Sequence, residues 1–180
     1  MKTLTVASVL AALLGSTALA AAQVQFAGLS WGVGFERVRA ALTQRGYTLE
    51  ARKSHEARFG GEILGADTDV YTLFDPAGRL TGVVVWIGSG NGSLNTYAEL
   101  KNRLDRKYGP GRETSTLPRG SDATRLTALK QGRKLFSVWA DASGNRLEGR
   151  VLVSASGKVF TRVTYASGLA LGGQPGLQDF

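Results

Sequence analysis

Phe35, Val38, Ala41 and Leu42 recur at helical spacing in "GLSWGVGFERVRAALTQRGY", and Gly46 stands where such a helix would stop. The stretch "NTYAELKNRLDRKYGPG" repeats the pattern with Tyr97, Leu100, Leu104 and Tyr108. Gly109-Pro110 should end this second helix, because glycine accepts a left-handed cap and proline cannot continue the ladder. Thr96 and Glu99 fit a capping box at its start. Setting Phe35 against Tyr97 aligns Val38 with Leu100 and Leu42 with Leu104.

After each helix the pattern turns to strands. Asp69–Asp75 and Arg79–Gly88 are rich in β-branched and aromatic residues, and the pattern between Tyr47 and Leu64 is less distinct. In the second half, Ala123–Lys130, Arg133–Asp141, Arg146–Ser156 and Lys158–Ala166 read as four strands. Gly132, Gly144 and Gly157 mark the short turns between them, which force antiparallel neighbours. Two hairpins also echo each other: "DPAGRLTGVVV" from Asp75 and "DASGNRLEGRVLV" from Asp141. Leu80 then matches Leu147, Gly82 matches Gly149, Val84 matches Val151 and Trp86 matches Val153. The expected fold is α+β: two helix-plus-antiparallel-meander repeats forming one curved sheet with helices on one face. Residues 23–92 make the first repeat, 93–166 the second, and 167–180 a flexible tail.

Period-two alternation assigns the faces. Leu147, Val151 and Val153 alternate with Glu148, Arg150 and Ser154, so the first set should face the helices. By the alignment, Leu80, Val84 and Trp86 do likewise, leaving Val83, Val85 and Ile87 on the opposite side. If Phe136 and Val138 point inward, Trp139 joins Arg150, Leu152 and Arg162 there. The seven residues Val83, Val85, Ile87, Trp139, Arg150, Leu152 and Arg162 are the candidate binding patch, apolar, aromatic and basic. The alternative is a central strand in which Val83, Val85 and Ile87 are buried.

Gly28, Trp31, Gly32, Val38 and Leu42, followed by Gly78, Leu80 and Gly82, carry a resemblance. Secreted or periplasmic bacterial proteins with a Gly-x-x-Trp-Gly helix start and Gly-x-Leu-x-Gly hairpins look like this. The tandem helix-plus-meander plan is similar to that of β-lactamase inhibitory protein and its relatives. The resemblance implies architecture and no functional residue. The disulfides of that inhibitor have no counterpart here.

Composition adds a location. Lys2, an apolar run from Leu4 to Leu14 and a small-residue site around Ala18-Leu19-Ala20 form the pattern of a secretory signal peptide. The run is shorter than the roughly 20 residues of a transmembrane helix, so no membrane span is expected. Cleavage near Ala20 to Ala22 would make the protein secreted or periplasmic. There is no cysteine, so neither lipidation at the cleavage site nor disulfides are expected.

Charge divides the chain. Residues 23–92 carry seven basic and seven acidic side chains, whereas residues 93–180 carry fourteen basic and seven acidic, mostly arginine on the basic side. A basic second half suits an anionic partner or simply keeps a secreted protein soluble.

Enzyme and metal signatures are weak. His55 is the only histidine, and without cysteine a transition-metal site is not expected. "GVGFER" lacks the third glycine of a dinucleotide fingerprint, and "GADTD" supplies too few ligands for a calcium loop. The expectation is a binding protein without catalysis, metal or cofactor. Its partner would be a protein or an anionic envelope component, met through an open sheet face with a basic rim. The alternatives are a nucleic-acid or anionic-polymer binder using second-half arginines, and a hydrolase centred on His55.

Overall fold

The computed structural model describes residues 22–88 and 90–168. The expected signal peptide, but for Ala22, and the tail beyond Gly168 lie outside the described residues. The first unit contains α1 (Phe35–Thr43), β1 (Thr48–Arg52), β2 (Glu56–Ile63), β3 (Ala66–Phe74) and β4 (Leu80–Ile87). The second contains α2 (Ser93–Tyr108), β5 (Arg112–Ser115), α3 (Asp122–Lys130), β6 (Leu135–Ala140), β7 (Arg146–Val153) and β8 (Val159–Ala166). Among the described residues the eight strands form one antiparallel sheet in the order β1-β2-β3-β4-β8-β7-β6-β5. The two units therefore meet at a β4–β8 seam, where Val83 pairs with Tyr165 and Val85 with Val163.

The α+β class and the helix-plus-meander plan stand as expected. One face of the sheet is covered by helices. Val38 and Leu42 of α1 and Leu104 of α2 share a core with Phe59, Val70, Val83, Val85, Leu147 and Val163. A second cluster sets Leu94 and Tyr97 of α2 and Leu129 of α3 against Leu135, Val151 and Val159. The first cluster draws on both units, so the seam is buried in continuous apolar packing rather than bridged by a linker.

The Gly-x-x-Trp-Gly start has a structural task. Trp31 Nε1 donates to the Val24 carbonyl at 2.9 Å, and the Gly32 amide donates to the Leu80 carbonyl at 2.9 Å. Gly32 has φ 81°, a left-handed value that glycine adopts without strain. The motif folds residues 24–29 back onto the sheet, burying Val24, Phe26 and Leu29.

Two local expectations are corrected. Ala123–Lys130 is helix α3 rather than a strand; Ser121 caps it by accepting the Thr124 amide at 3.3 Å, and Ala, Leu, Arg and Lys favour helix. The fourth strand of the second unit is instead β5, ahead of α3. The capping box at Thr96 and Glu99 does not form either. Helix α2 begins at Ser93, with Gly92 as its N-cap, so Glu99 lies inside the helix and pairs with Arg103 at 2.6 Å.

Candidate functional site

The second sheet face, away from the helices, is built by register. Phe136 pairs with Arg150, Arg150 with Arg162, Arg162 with Trp86, and Trp86 with Asp69. Directly paired residues share a face, so one row crosses β6, β7, β8, β4 and β3 as aromatic, arginine, arginine, aromatic, acid. The Arg150 guanidinium lies 4.8 Å from the Phe136 ring centre, and that of Arg162 lies 5.6 Å from Trp86. Phe160, two residues before Arg162, packs against Trp86 with ring centres 4.8 Å apart and the rings tilted by 54°.

Glu148 ties the arginines together. Its carboxylate lies 3.3 Å from Arg146, 3.0 Å from Arg150 and 4.0 Å from Arg162. Arg150 Nε is close enough to form an ion pair with Glu148, but its N–H is not aligned for a hydrogen bond and is left without a partner. The Arg162 side chain is only 11 % exposed. Burial, then the neighbouring Arg150 charge, lowers its pKa, and Glu148 opposes the shift.

The first unit furnishes an acidic continuation. Thr48, Glu50, Gly60, Asp67, Asp69, Tyr71, Trp86, Lys158 and Phe160 are among the residues lining a groove of about 610 Å³. A second hollow of about 350 Å³, between Lys53, Glu56, Tyr71, Leu73, Val84 and Trp86, adjoins it. Gly60 has no side chain, and the Glu50 carboxylate occupies the space a β-carbon would take. Arg58 crosses to this carboxylate at 3.0 Å; its hydrogen bond to Tyr71 first, and Glu50 second, raise its pKa. Asp67 and Asp69 belong to β3.

Four residues of the expected patch are elsewhere. Val83, Val85 and Ile87 are buried at 0 %, 1 % and 0 % exposure in the helix-side core, and Trp139 is buried there too. For the three β4 residues the cause is a bulge: Leu73 pairs with Gly82 but Phe74 with Leu80, leaving Thr81 as an extra residue. One extra residue exchanges the faces of everything after it. Leu80 still points inward, while Val84 and Trp86 point outward. On β6 the inward residues are Leu135, Ser137 and Trp139, so Phe136 and Val138 face out. Trp139 Nε1 donates to Asp105 Oδ1 at 3.0 Å and to the Gly109 carbonyl at 3.1 Å, beneath the end of α2.

Arg150, Leu152 and Arg162 do occupy the open face, as their register with Phe136, Phe160 and Trp86 shows. Trp86, Phe160, Phe136 and Tyr71 complete it and were not anticipated. The alternation Phe160, Arg162, Thr164 against Val159, Thr161, Val163 would have placed Phe160 beside Arg162.

His55 is exposed in the β1–β2 turn, where its carbonyl accepts the Phe74 amide at 2.9 Å. Among the described residues no three His, Asp or Glu side chains gather as metal ligands. No helix among them is long and apolar enough to cross a membrane. Comparison with models of known protein families, with curated proteins and with solved structures finds no match.

Proposed function

We propose that this is an exported, non-enzymatic binding protein that docks a partner protein on its open sheet face, in the periplasm or outside the cell. The observation that carries this reading is the row through Trp86: aromatic side chains, with arginines lying over two of them, cross a sheet whose other face is already covered. Aromatic and arginine side chains are the residues that anchor protein interfaces. The signal-peptide pattern supports export. The architectural likeness to β-lactamase inhibitory protein belongs to this proposal and concerns the fold alone.

Charge separates the protein reading from the polymer reading. Arg112, Arg146, Arg150 and Arg162 share the open face on the β5–β8 side, against Glu148. On the β1–β3 side stand Glu50, Glu56, Glu62, Asp67 and Asp69, against Arg58 and Lys53. A uniform polyanion lying across the face would be repelled over half its length, whereas a protein surface of mixed charge can match both halves.

The test compares capture from envelope and extracellular fractions by wild type, Trp86→Ala and the helix-side variant Arg103→Ala. Loss of a specific protein with Trp86→Ala alone supports the reading. Equal recovery by all three sinks it. Capture of nucleic acid with an affinity falling steeply in salt would favour the polymer alternative instead.

A further inference from the structure

We infer that Arg150 and Arg162 form an oxyanion subsite that takes a carboxylate side chain of the partner protein, with the apolar group beside that carboxylate lying on Trp86 and Phe160. The inference rests on the open face being a protein-docking surface, and it names what the partner presents there.

Like charges directly opposite on neighbouring strands repel each other, yet Arg150 and Arg162 are paired in register. Glu148 does not balance them. It is one carboxylate placed among three guanidiniums, at 3.0 Å from Arg150 and 4.0 Å from Arg162. Two positive charges remain in excess, one of them on a side chain only 11 % exposed. Arg150 Nε itself is buried against Glu148, so what the cluster offers is its excess positive charge. The Arg150 and Arg162 guanidiniums lie over the Phe136 and Trp86 rings, cation–π contacts that favour one placement of each. A positioned guanidinium can present its donors to a carboxylate with less further loss of freedom.

The adjoining Trp86–Phe160 pair favours an anion carried next to an apolar group. Beyond Trp86 the face turns acidic at Asp69, its direct neighbour in the row. A second anion following the first, as in a phosphorylated polymer, would meet that carboxylate. An isolated acidic side chain on a protein surface would not.

The test is an NMR titration of the isotopically labelled protein at constant ionic strength. It follows the Arg150 and Arg162 Nε–H and Trp86 indole signals with phenylacetate, phenylacetamide or inorganic phosphate. Phenylacetate is expected to move these signals saturably, at least tenfold more tightly than phenylacetamide and more tightly than phosphate. Arg150→Gln should weaken phenylacetate about tenfold, while Arg103→Gln, on the helix side, should leave it unchanged. Phenylacetamide binding as well as phenylacetate overturns the subsite, and so does phosphate binding more tightly than phenylacetate. The ligand comparison on wild type requires no variant to fold. Failure here with Trp86-dependent partner capture intact removes the subsite alone; capture indifferent to Trp86 removes the docking surface itself.

Discussion

Gly111 lies against the indole of Trp139 so closely that a β-carbon on it would overlap Cε2. The indole is held by Asp105 and the Gly109 carbonyl, and Asp105 also accepts the Gly111 amide at 2.8 Å. The ring therefore has little room to yield. Gly111→Ala is expected to destabilise the protein by roughly 1–3 kcal/mol, the usual range for overpacking. Gly149→Ala, whose added carbon would meet the same ring at 3.6 Å, should cost less. Urea unfolding of the two variants checks the difference, and equal midpoints would contradict it.

The two tryptophans on opposite faces should behave oppositely. Trp139→Ala removes a buried ring and is expected to cost roughly 3–5 kcal/mol. Trp86 is half-buried and loses mainly its contacts with Phe160 and Arg162. Trp86→Ala should cost roughly 1–2 kcal/mol. A larger loss of stability for Trp86→Ala than for Trp139→Ala would reverse the assignment of faces.

Deleting Thr81 removes the bulge but keeps the pairs on either side of it, Leu80 with Phe74 and Gly82 with Leu73, so Val83, Val85 and Ile87 stay in the core. The variant loses the hydrogen bond from the Thr81 hydroxyl to the Leu73 carbonyl, worth roughly 0.5–1.5 kcal/mol. A cooperative urea transition at a modestly lower midpoint, with dispersed amide signals, is expected. Loss of the cooperative transition would contradict this reading of Thr81 as the extra residue.

Acid should weaken the fold through Asp141 and Asp105. Burial alone would raise the Asp141 carboxyl, but hydrogen bonds from Asn145, the Val24 amide and the Ser143 amide hold it below its ordinary value. Asp105 is also subject to burial, which hydrogen bonds from Lys101, Gly111 and Trp139 outweigh. A carboxyl whose folded pKa lies below the unfolded value of about 3.9 binds more protons when unfolded, so stability rises with pH across that window. The contribution is present above the unfolded value and is lost as pH falls through the folded one. Urea midpoints between about pH 5 and pH 3 should drop for wild type and drop less steeply for Asp141→Asn. Identical slopes would exclude Asp141 from the effect.

Much of the plan was legible in residues that act locally. Gly46 and Gly109 end their helices, both with positive φ, and Gly132, Gly144 and Gly157 make the expected turns. The faces of β7 followed from its alternation. The misassigned face of β4 has a physical reason. The matched hairpins place Leu80 and Leu147 correctly, but Thr81 is inserted after the match. Val85 and Ile87, rather than Val84 and Trp86, thus become the counterparts of Val151 and Val153. A bulge belongs to the pairing of two strands and is not visible in either alone. Ala123–Lys130 was ambiguous because a short run of mixed apolar residues suits strand and helix alike. Arg150 and Arg162 were found on the open face, whereas their aromatic partners emerged only with the register.

The central claim concerns which face meets the partner. Hydroxyl-radical footprinting of the protein, free and bound to the partner recovered in the capture experiment, measures this side chain by side chain. Protection of Trp86, Phe160, Phe136 and Tyr71 is expected on binding, with Phe35 of α1 labelled equally in both states. Protection confined to the helix side, with Trp86 and Phe160 labelled as in the free protein, would contradict the account.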